Sequence, residues 1–314
     1  MKQKEESFST ISAADLLRMK ITYDIVISDF GRDATIEYLS RVSSLEKRLI
    51  ERVLVRDNLE FFDEYRRIMF TVVADLSYFK KSAIAKSIES QGYLKEDILI
   101  GFGPSSMSKG FVDRVTLSVI QEALAAIDRG HERVRVMIPC NTLSDLAKEI
   151  GRVLCSVTEL RRLTEASAVK IFEVDRITTS KIDIYTVPEA VVRHLERTKS
   201  HDETIHLLVL GTRDTNAIYG RLTESSAINV LPLKNWEYEL IYKIIVASIG
   251  DNRDSLNSYC QRLQEELIKP QIDLYDNLIV LEACTDLRLG LGLSSLEVFA
   301  EATVADCYQN LISL

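Results

Sequence analysis

Cysteine pairs at metal-binding or disulfide spacing are missing from this 314-residue chain. Its five cysteines are scattered, with no Cys-x-x-Cys and no Cys/His cluster. That argues against a disulfide framework and against a structural zinc, and it predicts reduced thiols and no bound metal. The four histidines, His131, His194, His201 and His206, lack ligand spacing and are read as structural or surface residues. A Cys–His hydrolase is disfavoured on the same ground. Long apolar runs are also missing: nothing approaches the roughly 18 residues of a membrane span, and the opening MKQKEESFSTIS has no signal-peptide core. No membrane partner is expected, and a cytoplasmic location is. Basic clusters are absent as well; a net charge of -8 with no Lys/Arg stripe excludes nucleic acid as the main partner. There is no Walker A sequence and no Gly-x-Ser-x-Gly. The Gly101–Gly103 pair has Ser106 where the third glycine of a dinucleotide fingerprint belongs.

What the chain does contain is an alternation of buried-strand and helix patterns, which predicts an α/β protein with mainly parallel sheets. Ser12 is placed to cap a short helix with Asp15 in its first turn. Strands are expected at Tyr23–Phe30, Asp97–Phe102, 133–138, Ile182–Tyr185, Ile205–Leu210, Ile228–Leu231 and 278–281. Helices are expected at Asp33–Val42, over most of 43–93 (including Ile68 and Val72), at Phe111–Asp128, 143–154, 188–199, Trp236–Ile249, Asp254–Ile268 and Thr303–Leu311. Gly103–Gly110 reads as a loop that carries Lys109. The pattern leaves residues 155–176 unassigned beyond mixed helix.

Two stretches stand out. RVRVMIPCNT (Arg133–Thr142) is a strand pattern broken at Pro139, delivering Cys140, Asn141 and Thr142 just beyond its end; LIVLEACTD (Leu278–Asp286) delivers Cys284, Thr285 and Asp286 in the same way. Elsewhere GRDATIEYLSR (Gly31–Arg41) and GTRDTNAIYGR (Gly211–Arg221) each follow a strand with Gly, then Arg-Asp, Thr, and later Tyr and Arg. The halves read as copies of one unit, each with its glycine turn and its strand-end cysteine.

Ligands of parallel sheets gather at the carboxyl ends of strands. If a pseudo-two-fold axis relates the halves, the two thiols approach a bound molecule from opposite sides. That geometry suits stereoinversion at carbon: one thiolate takes a proton from one face and the other thiol supplies one to the opposite face. Asn141, Thr142 and Thr285 are suitable neighbours for lowering a thiol pKa from about 8.5. The scheme demands no cofactor. Cys155, Cys260 and Cys307 read instead as small core hydrophobes.

The residues at this point resemble the aspartate/glutamate racemase superfamily, which uses two cysteines as paired bases without a cofactor. Ile138–Thr142 (IPCNT) is similar to that family's first cysteine motif and Ala283–Asp286 (ACTD) to its second; Gly31–Leu39, Gly103–Gly110 and Gly211–Leu222 also line up with family segments. The resemblance implies two Rossmann-like domains facing each other across an active-site cleft, usually in a homodimer. It places a tail at 1–21, a first domain at 22–180 plus 300–314, and a second at 181–299. It also implies Cys140 and Cys284 as catalytic residues, with Asn141, Thr142, Thr285, Asp286, Lys109, Gly31 and Thr212 binding a small amino acid, most often acidic, such as aspartate or glutamate. Lys109 stands where aspartate racemases have a carboxylate-binding arginine, and Asp286 where Glu is common, so a carboxylate would be held differently. Isomerisation or decarboxylation of a small dicarboxylate, and non-catalytic ligand binding, are the alternatives this resemblance leaves open.

Overall fold

The computed structural model describes residues 12–28, 33–57, 64, 66–73, 109–165, 182–200, 203–224, 226–249, 252–284, 287 and 289–312. Gly31, Thr285, Asp286, the expected strand Asp97–Phe102 and the expected loop up to residue 108 lie outside these residues. The side chains of Thr142 and Lys109 do too.

The first half runs α1 (Ala13–Arg18), β1 (Thr22–Ile27), α2 (Asp33–Asp57), β2 (Ile68–Val73), α3 (Lys109–Asp128), β3 (Arg133–Ile138), α4 (Leu146–Leu154), α5 (Val157–Glu165), β4 (Ile182–Thr186) and α6 (Val187–Thr198). The second runs β5 (Ile205–Leu210), α7 (Arg213–Thr223), β6 (Ile228–Val230), α8 (Asn235–Ile249), α9 (Arg253–Leu263), α10 (Lys269–Ile272), β7 (Leu278–Glu282), β8 (Leu293–Ser294) and α11 (Ser295–Ile312). The Ser12 cap forms as a full capping box, with its hydroxyl accepting from the Asp15 N–H and the Asp15 carboxylate accepting from the Ser12 N–H.

Every strand pairs in parallel. One sheet has the order β2-β1-β3-β4 and the other β6-β5-β7-β8, so the two halves repeat one topology, with the opening strand of each flanked by its second and third. Each half then ends in a helix that packs on the first helix of the other: α6 on α7, and α11 on α2, with α6 and α11 touching between them. A single apolar cluster therefore runs from Val26 and Met137 of the first sheet, through Val191 and Phe299 of the exchanged helices, to Val209 and Leu281 of the second sheet. The outer faces are covered separately, by α3, α4 and α5 on one side and by α8, α9 and Leu267–Ile268 just beyond it on the other. All six residues of β1 are buried because both faces of its sheet are covered.

Four expectations need correction. Residues 68–73 form a strand, although the spacing of Ile68 and Val72 suggested helix. The sequence IMFTVV is apolar on both faces with an aromatic and four β-branched residues, and it pairs with β1 along its length. Residues 182–186, grouped with the second half by sequence, pair with β3 of the first sheet. The last helix begins at Ser295, directly after β8, and Phe299–Thr303 lies inside it. Lys109 and Gly110 open α3 and are not part of a loop. No helix among the described residues is long and apolar enough to cross a membrane.

The C-terminal helix is tied to the first sheet by buried polar groups. Arg135 on β3 donates to both oxygens of Asp24, its register partner on β1, at 2.7 and 2.8 Å, and also to the Thr303 carbonyl and to Asp306 of α11. Tyr38 of α2 meets Thr303 Oγ1 at 3.1 Å, and Tyr308 donates to Glu46 at 2.8 Å. Cys307 sits in the same layer, 3.5 Å from Thr22 Oγ1, and burial pushes its thiol up to about 11. Cys155, expected in the core, is exposed because it ends α4. These two thiols should separate in a labelling time course. At pH 8, iodoacetamide should modify Cys155 within minutes and leave Cys307 untouched until the chain is unfolded; early Cys307 adducts in peptide mass spectra would contradict this packing.

Candidate active site

Cys140 and Cys284 occupy equivalent places. β3 ends at Ile138 and β7 at Glu282, each the third strand of its half among the described residues, and each cysteine lies two residues beyond. Both are half-buried, and neither is in a disulfide.

On the first side, the buried Pro139 carries the chain off the sheet into a short 3-10 turn, Thr142–Asp145. Ser144 Oγ donates to the Cys140 carbonyl at 3.0 Å and fixes the turn. Asn141, 4% exposed, does not cap this turn with its side chain. Its amide instead reaches into the other half: Oδ1 accepts from Tyr219 Oη of α7 at 2.8 Å, and Nδ2 donates to Ser295 Oγ at the start of α11 at 3.0 Å. Burial holds the Tyr219 hydroxyl well above its ordinary pKa, so it stays a donor. Nearby, Arg221 of α7 pairs with Asp145 at 3.0 Å.

On the second side, Ala283 N–H donates to the Leu210 carbonyl, and the chain then loops from Cys284 back to β8. Glu282 Oε1 accepts from the Leu291 N–H at 2.7 Å and closes that loop. Gly290 takes the left-handed turn, at φ 63°. A Cβ on Gly292 would lie 2.1 Å from the Val280 carbonyl oxygen, so the loop returns against bare backbone. Gly292→Ala is therefore expected to cost about 2–4 kcal/mol. It should also displace the wall beside Cys284, read as a lowered urea midpoint; an unchanged midpoint would refute the contact.

Beside Cys284 lies a cavity of about 350 Å³. Cys284, Glu282 and Ser295 line it from the second half, together with Glu297 in the first turn of α11, while Glu37 and Arg41 line it from α2 of the first half. Arg41 donates to Glu37 at 2.8 Å and lies 3.5 Å from Glu297. The walls thus combine a thiol, one guanidinium and three carboxylates in a space that fits a small amino acid.

The structure brings together part of the set expected from sequence. Cys284 opens on the cavity, and Asn141 is hydrogen-bonded to the cavity-lining Ser295, which puts the Cys140 turn one residue away; Cys140 itself does not line this cavity. Thr212 caps α7, accepting from the Thr215 N–H at 3.2 Å, and it does not line the cavity either. Its neighbour Gly211 is needed because an added Cβ would press on Thr215 at 3.0 Å. Lys109 is the first residue of α3.

Sequence reasoning missed Arg41, Glu37, Glu297, Ser295 and Tyr219. Two signals were available. Glu37 and Arg41 are four apart on a helix, where such pairs meet. The Tyr and Arg repeated in the two glycine segments were read only as marks of duplication. In the structure Tyr38 and Arg41 reach α11, while Tyr219 and Arg221 reach the Cys140 turn, so all four fasten one half to the other. Among the described residues no cluster of His, Cys, Asp or Glu is arranged to hold a metal ion.

No known family model and no curated protein matches the chain. Among solved structures, a Yersinia pestis protein provisionally described as an Asp/Glu racemase is similar over 92% of this chain and 100% of its own, with 14% identity and a TM-score of 0.49.

Proposed function

We propose that this protein is a cofactor-independent amino-acid racemase or epimerase in which Cys140 and Cys284 are the two bases. The observation that carries the reading is the equivalence of the two thiols: each lies two residues past the third described strand of a sheet with the same order among the described residues. Two copies of one unit facing each other turn their strand ends toward a shared space, and deprotonation on one face with reprotonation on the other needs two such groups. The cavity at Cys284 and the hydrogen bond from Asn141 to its wall support the placement. The thiolate would remove the Cα proton of the bound amino acid, and the opposite thiol would return one to the other face. Substrate binding by Thr142, Thr285, Asp286, Lys109, Gly31 and Thr212, and a homodimer, belong to the same proposal, resting on the sequence resemblance.

The test is proton exchange at Cα, followed by NMR in D2O over a panel of L- and D-amino acids. Deuterium incorporation accompanied by inversion is the expected result. A folded protein that exchanges no amino acid would sink the racemase reading.

A further inference from the structure

Resting on that reading of the site, we infer that the Cys284 cavity is built for an amino acid with a single carboxylate, held by Arg41, and not for a dicarboxylate. Among the described walls Arg41 is the one cationic side chain, set against Glu37, Glu282 and Glu297. Its two partners are unequal. Glu37 lies on the same helix four residues away and accepts from both Nε and Nη2, at 3.0 and 2.8 Å. Glu297 comes from α11, makes one longer contact at 3.5 Å, and is 55% exposed. An exposed pair of that kind contributes under about 1 kcal/mol, so a ligand carboxylate offering a charge-assisted fork to the same guanidinium displaces it at little cost. Glu297 is then the placeholder, and Arg41 the residue that reads the carboxylate.

The rest of the ligand follows from charge. Glu282 accepts from the Leu291 N–H through Oε1, leaving Oε2 for an ammonium, beside Cys284 and at the end of the same strand. A zwitterion therefore finds one cation and one anion in the walls. A second carboxylate would find Glu282 and the displaced Glu297, and like charges at contact distance in a confined space oppose binding. The acidity of the described walls thus argues against the acidic substrate that the sequence resemblance implied.

Binding without turnover separates this inference from the racemase proposal. Calorimetric titration of the wild-type protein with L- and D-alanine, L- and D-aspartate, and succinate should show alanine binding at least about tenfold tighter than either dicarboxylate. Arg41→Gln should lose alanine binding, with circular dichroism confirming the fold. Glu297→Gln should tighten alanine a few-fold and recover part of the aspartate affinity, a gain that a merely structural role for the pair would not produce. Aspartate or succinate binding as tightly as alanine, Arg41→Gln binding unimpaired, or no binding of any of these probes would each overturn the inference. If alanine binds as expected but no Cα exchange is seen, the racemase proposal falls and the specificity stands.

Discussion

Cys140→Ala and Cys284→Ala should each abolish inversion while leaving slow, enantiomer-selective exchange of the Cα proton. If each serves one face of the substrate, removing one leaves the other able to take a proton from its own face and to return a solvent-derived one to the same face. Configuration is retained and deuterium enters. One variant should therefore wash deuterium into the L-form only, and the other into the D-form only. Removing a positioned acid or base group costs roughly 10²–10⁴-fold, so inversion should drop by about that factor in both single variants. The measurement is chiral chromatography with mass detection after incubation in D2O. Loss of activity in one variant alone, or both variants exchanging the same enantiomer, would eliminate a two-base mechanism with opposed thiols. Cys307→Ala is the internal control: that thiol is buried against Thr22 and is not among the residues lining the Cys284 cavity, so inversion should persist.

The elements that frame these thiols were legible because their local signals were strong. A buried parallel strand reads as an apolar run, which β5 and β7 have, while β1 and β3 show it only beyond Asp24 and Arg135. The helix caps and Pro188 in the first turn of α6 obey rules that depend on neighbours only a few residues away. The duplication was legible too, since Gly31–Arg41 and Gly211–Arg221 share the same order of Gly, Arg-Asp, Thr, Tyr and Arg, and the sheet order repeats. What the residue pattern by itself could not supply was the exchange of helices; only the family resemblance placed 300–314 with the first domain. Nothing in the apolar pattern of α11 says that it packs on α2, and for that reason Glu297 could not be placed beside Arg41, nor Ser295 beside Asn141. β2 was misread because an edge strand with apolar residues on both faces loses its two-residue period, and Ile68 and Val72 then match helical spacing by chance. Asn141 shows the same limit at the site: its position after the strand was readable, but the direction of its amide depends on Tyr219, 78 residues away.

The helix exchange also predicts where the protein is most vulnerable to substitution. Arg135→Met should destabilise it by about 3–5 kcal/mol, because Asp24 would be left as an uncompensated charge at 2% exposure. Burial works against the charge on Arg135, yet the Asp24 carboxylate and its hydrogen bonds more than offset this, and the guanidinium pKa lies above its ordinary value. The same side chain donates to Thr303 and Asp306, so losing it also frees the middle of α11 from the first sheet. That helix carries Ser295 and Glu297 to the cavity, so loss of stability and loss of the site should come together. In a chemical denaturation series Arg135→Met should unfold at clearly lower urea. The double variant Asp24→Leu/Arg135→Met should recover much of the difference, since a well-packed apolar pair replaces a buried ion pair at small net cost. If the double variant is as unstable as the single one, the penalty comes from the lost α11 contacts and not from the stranded carboxylate. An unchanged midpoint in Arg135→Met would mean that the C-terminal helix is not anchored through this residue at all.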